Sequence, residues 1–260
     1  MIARRLAPLA TLFALLVAAS PAAAITYGTL DDTAHPEVGA LIGTFGTDTY
    51  PYCSGTLIST TVFLTAAHCD IDGAQVQVTF ASSYGPGATL HTGTYHANPA
   101  YSRSQGDPGD LAVVVLDVPI TGVALAQLPT LNILGAMKAA GTLNQSTQFT
   151  SVGYGGQEPI HVKGSGNVTE YLDQREWSVG SFNALGKGYL RLSQNAAHGD
   201  GGTCGGDSGG PNFFGAGASE TNVIAATTIT GDPWCKSTNV DQRLDTAASR
   251  AFLGLYVGLP

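Results

Sequence analysis

Short apolar or alternating runs recur along the chain: Val38–Ile42, Gly55–Leu64, Gln75–Phe80, Leu111–Leu116, Gln148–Gly153, Gly188–Leu192 and Val223–Ile229. Turn formers separate them, as in Tyr84-Gly85-Pro86-Gly87, Asp107-Pro108-Gly109 and Gly231-Asp232-Pro233. Runs of this length between turn signals read as strands of a barrel or a sandwich. Val76-Gln77-Val78-Thr79-Phe80 alternates, the pattern of a strand with one buried face. No succession of strand–helix–strand units is visible, which argues against a doubly wound parallel sheet. One helix is predicted at the end. Asp245 is placed to cap it, and Ala247, Ala248, Phe252, Leu253 and Tyr256 supply a largely apolar helical stretch. No solenoid-type repeat and no low-complexity linker divides this body.

The first 24 residues follow a different pattern. Arg4 and Arg5 precede an apolar run from Leu6 to Ala19, and Ala22-Ala23-Ala24 offers the small residues that a signal peptidase cuts. The run is shorter than the roughly 18–20 residues that span a bilayer, which disfavours a membrane anchor. The Arg pair is also compatible with a twin-arginine signal. Residues 1–24 are therefore read as a signal peptide and residues 25–260 as the exported domain.

Charge and cysteine content narrow the function classes. The chain carries 11 Lys+Arg against 19 Asp+Glu; removal of the leader leaves 9 against 19, a net charge of −10. That balance excludes a nucleic-acid-binding surface and a polybasic membrane patch, both of which need clustered Lys and Arg. With 43% hydrophobic residues, the chain can bury a core. Export implies an oxidising compartment, where disulfides persist. Cys53, Cys69, Cys204 and Cys235 allow three pairings, of which the two local loops Cys53–Cys69 and Cys204–Cys235 are the simplest. Zinc ligands usually come in close pairs such as C-x-x-C, and none is present. No acidic calcium loop is clear either. No metal and no cofactor is expected.

Three segments carry candidate chemistry: Leu64-Thr65-Ala66-Ala67-His68-Cys69, Gly109-Asp110-Leu111-Ala112-Val113-Val114 and Gly205-Gly206-Asp207-Ser208-Gly209-Gly210-Pro211. Each alone has a plain structural reading: a core histidine, a strand start, a turn. Together they supply a base, a carboxylate to orient it and a nucleophile in a glycine-rich loop. A serine hydroxyl attacks at neutral pH only if a neighbouring imidazole takes its proton. A buried carboxylate must hold that imidazole in the right tautomer. Glycines let backbone N–H groups turn toward a developing oxyanion.

Chain order discriminates between folds that share this chemistry. Gly206-Asp207-Ser208-Gly209-Gly210 also fits the G-x-S-x-G elbow of α/β-hydrolases, but that fold needs a histidine after the serine. His198 is the last histidine and precedes Ser208. The subtilisin order needs an Asp before the His, and no matching motif precedes His68. The order His68, Asp110, Ser208 is that of the chymotrypsin type.

At these residues, with Cys53-Ser54-Gly55-Thr56-Leu57-Ile58, the chain resembles the secreted chymotrypsin/trypsin-like serine proteases over essentially all of residues 25–260. The resemblance implies an all-β fold of two packed antiparallel six-stranded β-barrels, with the active site between them and a C-terminal helix. It implies His68 as general base and acid, Asp110 as its orienting carboxylate and Ser208 as nucleophile. Asp107 is a rival to Asp110, but it lacks the apolar strand that directly follows Asp110. The N–H groups of Gly206 and Ser208 would form the oxyanion hole. The disulfides Cys53–Cys69 and Cys204–Cys235 match those beside the family's His and Ser.

The family's mature N-terminus, Ile or Val, inserts and pairs with the Asp before the nucleophile. Here that implies Ile25 and Asp207, with signal cleavage itself creating the active terminus. The family's specificity-pocket base lies six residues before the nucleophile, at Gly202, with Thr203 and Gly231 beside it. A glycine there departs from the trypsin pattern of an Asp that selects Arg or Lys, and implies a neutral pocket. Asp241 or Asp232 is the alternative source of a basic preference. The segment Thr227-Thr228-Ile229-Thr230-Gly231 also departs from the usual Ser-Trp-Gly wall.

The expected function is a secreted, monomeric serine endopeptidase acting on protein or peptide substrates. It would have no nucleic-acid partner and no membrane contact after leader removal. Other readings are an inactive homologue serving as an extracellular binding protein, a disulfide-held surface protein, and an esterase using the same triad.

Overall fold

The computed structural model describes residues 25–71, 73–102 and 107–260. The expected signal peptide lies outside them. Fifteen strands are described. The first seven are β1 (Thr29–Leu30), β2 (Val38–Phe45), β3 (Asp48–Leu57), β4 (Val62–Thr65), β5 (Gln75–Thr79), β6 (His91–Ala97) and β7 (Ala112–Leu116). The rest are β8 (Gln148–Gly153), β9 (Ile160–Val162), β10 (Gly166–Val168), β11 (Glu176–Leu185), β12 (Tyr189–Ser193), β13 (Pro211–Phe214), β14 (Ile224–Gly231) and β15 (Thr238–Arg243). The two α-helices are α1 (Ile133–Ala139) and α2 (Ala247–Leu253).

Strands close into two antiparallel six-stranded barrels, as the resemblance implies. The first runs β2-β3-β4-β7-β6-β5 and back to β2. The second runs β8-β11-β12-β15-β14-β13, closed by β13 on β8. β1 adds to the edge of β11, and β9–β10 is a separate hairpin. Three apolar clusters hold this together. One fills the first barrel around Leu57, Phe63, Val78 and Val114. One fills part of the second around Phe149, Phe182, Leu190 and Leu192. The third lies between the barrels, where Val38, Leu64, Leu111 and Val113 meet Val152, Phe213, Phe252 and Leu253.

The predicted run Gly55–Leu64 is two strands: β3 ends at Leu57 and β4 starts at Val62, with Ser59 at the turn between them. The terminal helix forms as predicted but with a different cap. Thr246 Oγ1 accepts from Ser249 N at 3.1 Å. Asp245 is instead spent on Arg243 and on the N–H of Leu134 at the start of α1. Helix α1 has no counterpart among the predicted elements. Its apolar face is short: Leu134 is buried and Ile133 and Met137 are partly buried against the core of the second barrel.

Candidate active site

The two barrels each bring part of the site. β4 ends at Thr65 and the chain enters a short 3-10 turn, Ala67–Cys69, which carries His68 at the barrel rim. Asp110 sits just ahead of β7, 5% exposed, with its backbone N–H donating to Gln242 Oε1 at 3.3 Å. His68 N donates to Asp110 Oδ1 at 2.9 Å, and His68 Nδ1 lies 2.8 Å from Asp110 Oδ2. Two contacts to one carboxylate fix both the backbone and the ring. They make Nδ1 the donor and direct the acceptor nitrogen, Nε2, away from Asp110. Asp107 is not in this pair: its Oδ1 accepts from Gln242 Nε2 at 2.9 Å.

Ser208 belongs to the loop before β13. Its carbonyl accepts from Ser54 N of β3 at 2.7 Å, next to the Cys53–Cys69 bridge that anchors the His68 turn. Ser54 Oγ also donates to Gly206 O at 3.0 Å and accepts from Tyr154 N at 2.9 Å. Ser54 therefore pins the nucleophile loop of one barrel to a strand of the other. The cavity that includes His68 and the cavity that includes Ser208 share Ile229 and Thr230 as a wall.

Gly206 has φ +99°, and a Cβ there would meet Gly155 Cα at 2.9 Å. Only glycine adopts this conformation without strain. The fold turns the Gly206 and Ser208 N–H groups without giving either a backbone acceptor among the described residues. Asp207 points the other way, fully buried. Its Oδ1 accepts from Gly155 N and its Oδ2 from Cys204 N, both at 2.8 Å. Burial pushes its carboxyl up to about 7; those N–H groups oppose the rise and the negative charge of Glu176 adds to it.

Ile25 is completely buried, as the N-terminal expectation requires, but its nitrogen donates to Glu176 Oε2 at 3.1 Å rather than to Asp207. Thr26 then bridges to Gly202, whose N–H donates to Thr26 O at 3.0 Å. The start of the domain is thus laced to the segment preceding the nucleophile loop. Glu176 opposes Gly153 across β11 and β8.

Ser208 opens on a cavity of about 350 Å³ lined by Thr203, the Cys204–Cys235 bridge, Thr228, Ile229, Thr230 and Gly231. Gly202 is set back from that lining. A Cβ on it would collide with the side chain of Gln194, which lies over it. Asp232 borders the cavity, but its carboxylate is folded onto the N–H groups of Trp234, Lys236, Ser237 and Thr238, which lower its pKa against the opposing effect of burial. Asp241 lies behind Thr228, fully buried. Its Oδ1 accepts from Asn212 Nδ2 at 3.0 Å, and burial pushes its pKa well up.

Both disulfides form as the simplest pairing, with Cα atoms 6.3 and 5.2 Å apart. Loops of this size contribute about 3 kcal/mol each in the chain-entropy account. Cys53, His68 and Cys69 come as close together as the ligands of a metal would, but the two sulfurs are bonded to each other.

Sequence reading gave no role to Ser54, which it quoted only within the Cys53–Ile58 segment, and passed over Arg175, Glu176 and Gln194. Arg175 and Glu176 had a visible signal: adjacent opposite charges in a chain with only 12% charged residues. Gln194 had none in its own neighbourhood. The only trace is the pair Gly201-Gly202, which leaves room for a side chain from elsewhere.

Among the described residues no helix is long and apolar enough to cross a membrane. Comparison with the curated proteins finds no match. The family model described as Trypsin matches residues 32–246, a span that includes His68, Asp110 and Ser208, and the chain belongs to the trypsin family.

Proposed function

We propose that the protein is an exported serine endopeptidase that cleaves peptide bonds through an acyl-enzyme. The observation that carries this is the double contact of Asp110 with His68, beside a serine loop in which the N–H groups of Gly206 and Ser208 have no backbone acceptor among the described residues. Ser208 Oγ attacks the substrate carbonyl while His68 Nε2 takes its proton. Asp110 stabilises the imidazolium formed. The N–H groups of Gly206 and Ser208 receive the oxyanion. His68 returns the proton to the leaving amine. Water repeats the sequence on the acyl-enzyme and frees Ser208.

Removal of residues 1–24 leaves Ile25 as the first residue. Its ammonium then lies against Glu176, with Asp207 on the same side of the domain. Two buried carboxylates gain one cation, and the segment running to Gly202 is held in place.

The test is hydrolysis of a peptide library by the secreted protein beside Ser208→Ala. Cleavage lost at least 10³-fold in the variant is expected from removal of a triad member. Equal cleavage by both would refute the mechanism. An intact fold with no cleavage of any peptide would favour the binding-protein reading.

A further inference from the structure

The family pattern places the selective group of the pocket on the residue six before the nucleophile, and here that residue is a glycine that does not reach the cavity. The space above Gly202 is taken by Gln194, which directly follows β12 and is 1% exposed. Its orientation is set by its neighbours. Nε2 donates to Thr203 O at 2.6 Å, so the amide nitrogen must face that carbonyl and Oε1 must face away. Oε1 lies 3.9 Å from where a Cβ on Gly231 would be, and Gly231 lines the cavity beside Ser208. Among the described residues no donor reaches Oε1. A buried acceptor without a donor costs free energy until a ligand supplies one.

Two carboxyls also stand near the cavity base. The Asp232 carboxylate accepts from four N–H groups of its own loop, and Asp241 is fully buried, its Oδ1 accepting from Asn212 and its Oδ2 without a hydrogen-bond partner among the described residues. Because the Asp232 carboxylate is turned onto the N–H groups of its own loop, a buried ammonium at the base would find little direct pairing, which is costly.

We propose that Gln194 is the specificity-determining residue of the pocket, and that its Oε1 selects substrates whose residue before the scissile bond is neutral and ends in a hydrogen-bond donor. Tyr and Gln are the side chains of that class with close apolar counterparts, Phe and Met. This rests on the serine-peptidase reading above.

The experiment compares kcat/KM for peptide pairs that differ only at that residue, Tyr against Phe and Gln against Met, with Lys and Arg alongside. Active sites are counted in each preparation with a serine-directed covalent inhibitor. The expected result is a preference of about 5–10-fold for Tyr over Phe and for Gln over Met, the worth of one buried hydrogen bond. Gln194→Met, which removes the acceptor at similar length, should bring both ratios close to one. Gln194→Glu, which puts a charge at the same place, should raise Lys and Arg above Gln. Ratios near one in the unaltered protein, ratios unchanged in Gln194→Met, or an unaltered protein that prefers Lys or Arg would each overturn the assignment. Failure to cleave any peptide, with active sites absent by titration, would overturn the peptidase reading and this inference with it.

Discussion

The interior of the first barrel is filled by Leu41, Leu57, Phe63, Val78, Val114 and Leu116, all at most 3% exposed. The inward face of the second barrel changes character along its length. At one end Phe149, Phe182, Leu190 and Leu192 pack as an ordinary core. At the other, the buried positions are Glu176, Ser178, Ser151, Asn212, Thr228, Asn239 and Asp241. Cross-strand neighbours share a face, and the register opposes Ser178 to Ser151, Ser151 to Asn212 and Thr228 to Asp241. Burying so many polar groups gives up apolar burial and demands hydrogen bonds in return. Ser178 Oγ and Asn239 Oδ1 find none among the described residues. The apolar barrel is a platform that holds out His68 and Asp110. The second barrel gives up apolar burial for a polar stretch that includes Asn212, close after Ser208 in the chain, and Thr228, which lines the cavity at Ser208.

The largest expected effect tests the platform. Phe63 is fully buried and packs edge-on against Phe80 with ring centroids 5.7 Å apart. Phe63→Ala should cost about 3–5 kcal/mol of unfolding free energy, by lost transfer and the cavity left behind. Denaturant unfolding measures it. A loss below about 1 kcal/mol would mean that the first barrel is not the rigid half.

The same contrast explains what could be read from the chain. β4 and β7 were legible because their buried residues are almost all apolar, and β8 because Phe149 and Val152 flank its buried Thr150 and Ser151. β11 also alternates, but three of its four buried positions are Glu176, Ser178 and Gly180, with only Phe182 a large apolar residue, so most of the periodicity is written in residues that a hydrophobic pattern ignores. β13 and β15 went unseen for the same reason, with Asn212, Asn239 and Asp241 turned inward. The candidate triad was legible because it lies in short motifs. Gln194 and Glu176 were not, because their places depend on strand register, which joins residues far apart in sequence. Much of what could not be read lies in that polar half, and β6 of the first barrel, whose buried residues are Gly93 and Tyr95, was not among the predicted runs either.

Between the barrels a second, smaller effect is expected. His35 stacks on Phe213 of β13, with ring centroids 5.6 Å apart. Its Nδ1 meets Asp31, and its Nε2 lies 2.7 Å from Glu220 Oε1. Arg175 reaches Asp31 from the other side at 2.6 Å, and Glu37 stands near. Burial disfavours the charged ring, but the two carboxylates outweigh it and raise the pKa from 6.5 to about 9. A group whose pKa is raised on folding stabilises fully below its unfolded pKa. That contribution fades as pH climbs from about 6.5 through about 9. Stability should fall by about 2–3 kcal/mol across that window beyond what His35→Gln shows. Parallel pH curves for the two proteins would remove His35 from the account.

The smallest effect sharpens the polar half. In the protein starting at Ile25, the bond from the terminal nitrogen to Glu176 becomes an ammonium–carboxylate pair in a fully buried site. Bonds to charged groups are worth about 1.5–3 kcal/mol, so Glu176→Gln should lower kcat/KM about 10-fold while unfolding stability changes less. One residue added before Ile25 should act on the same pair, by displacing the ammonium from its seat. Two changes that remove one interaction do not add, so the extended Glu176→Gln protein should be scarcely less active than the extended protein alone. Full additivity would mean that Glu176 supports the fold rather than seating the terminus. The polar stretch of the second barrel would then have to order the nucleophile loop through Asp207 without it.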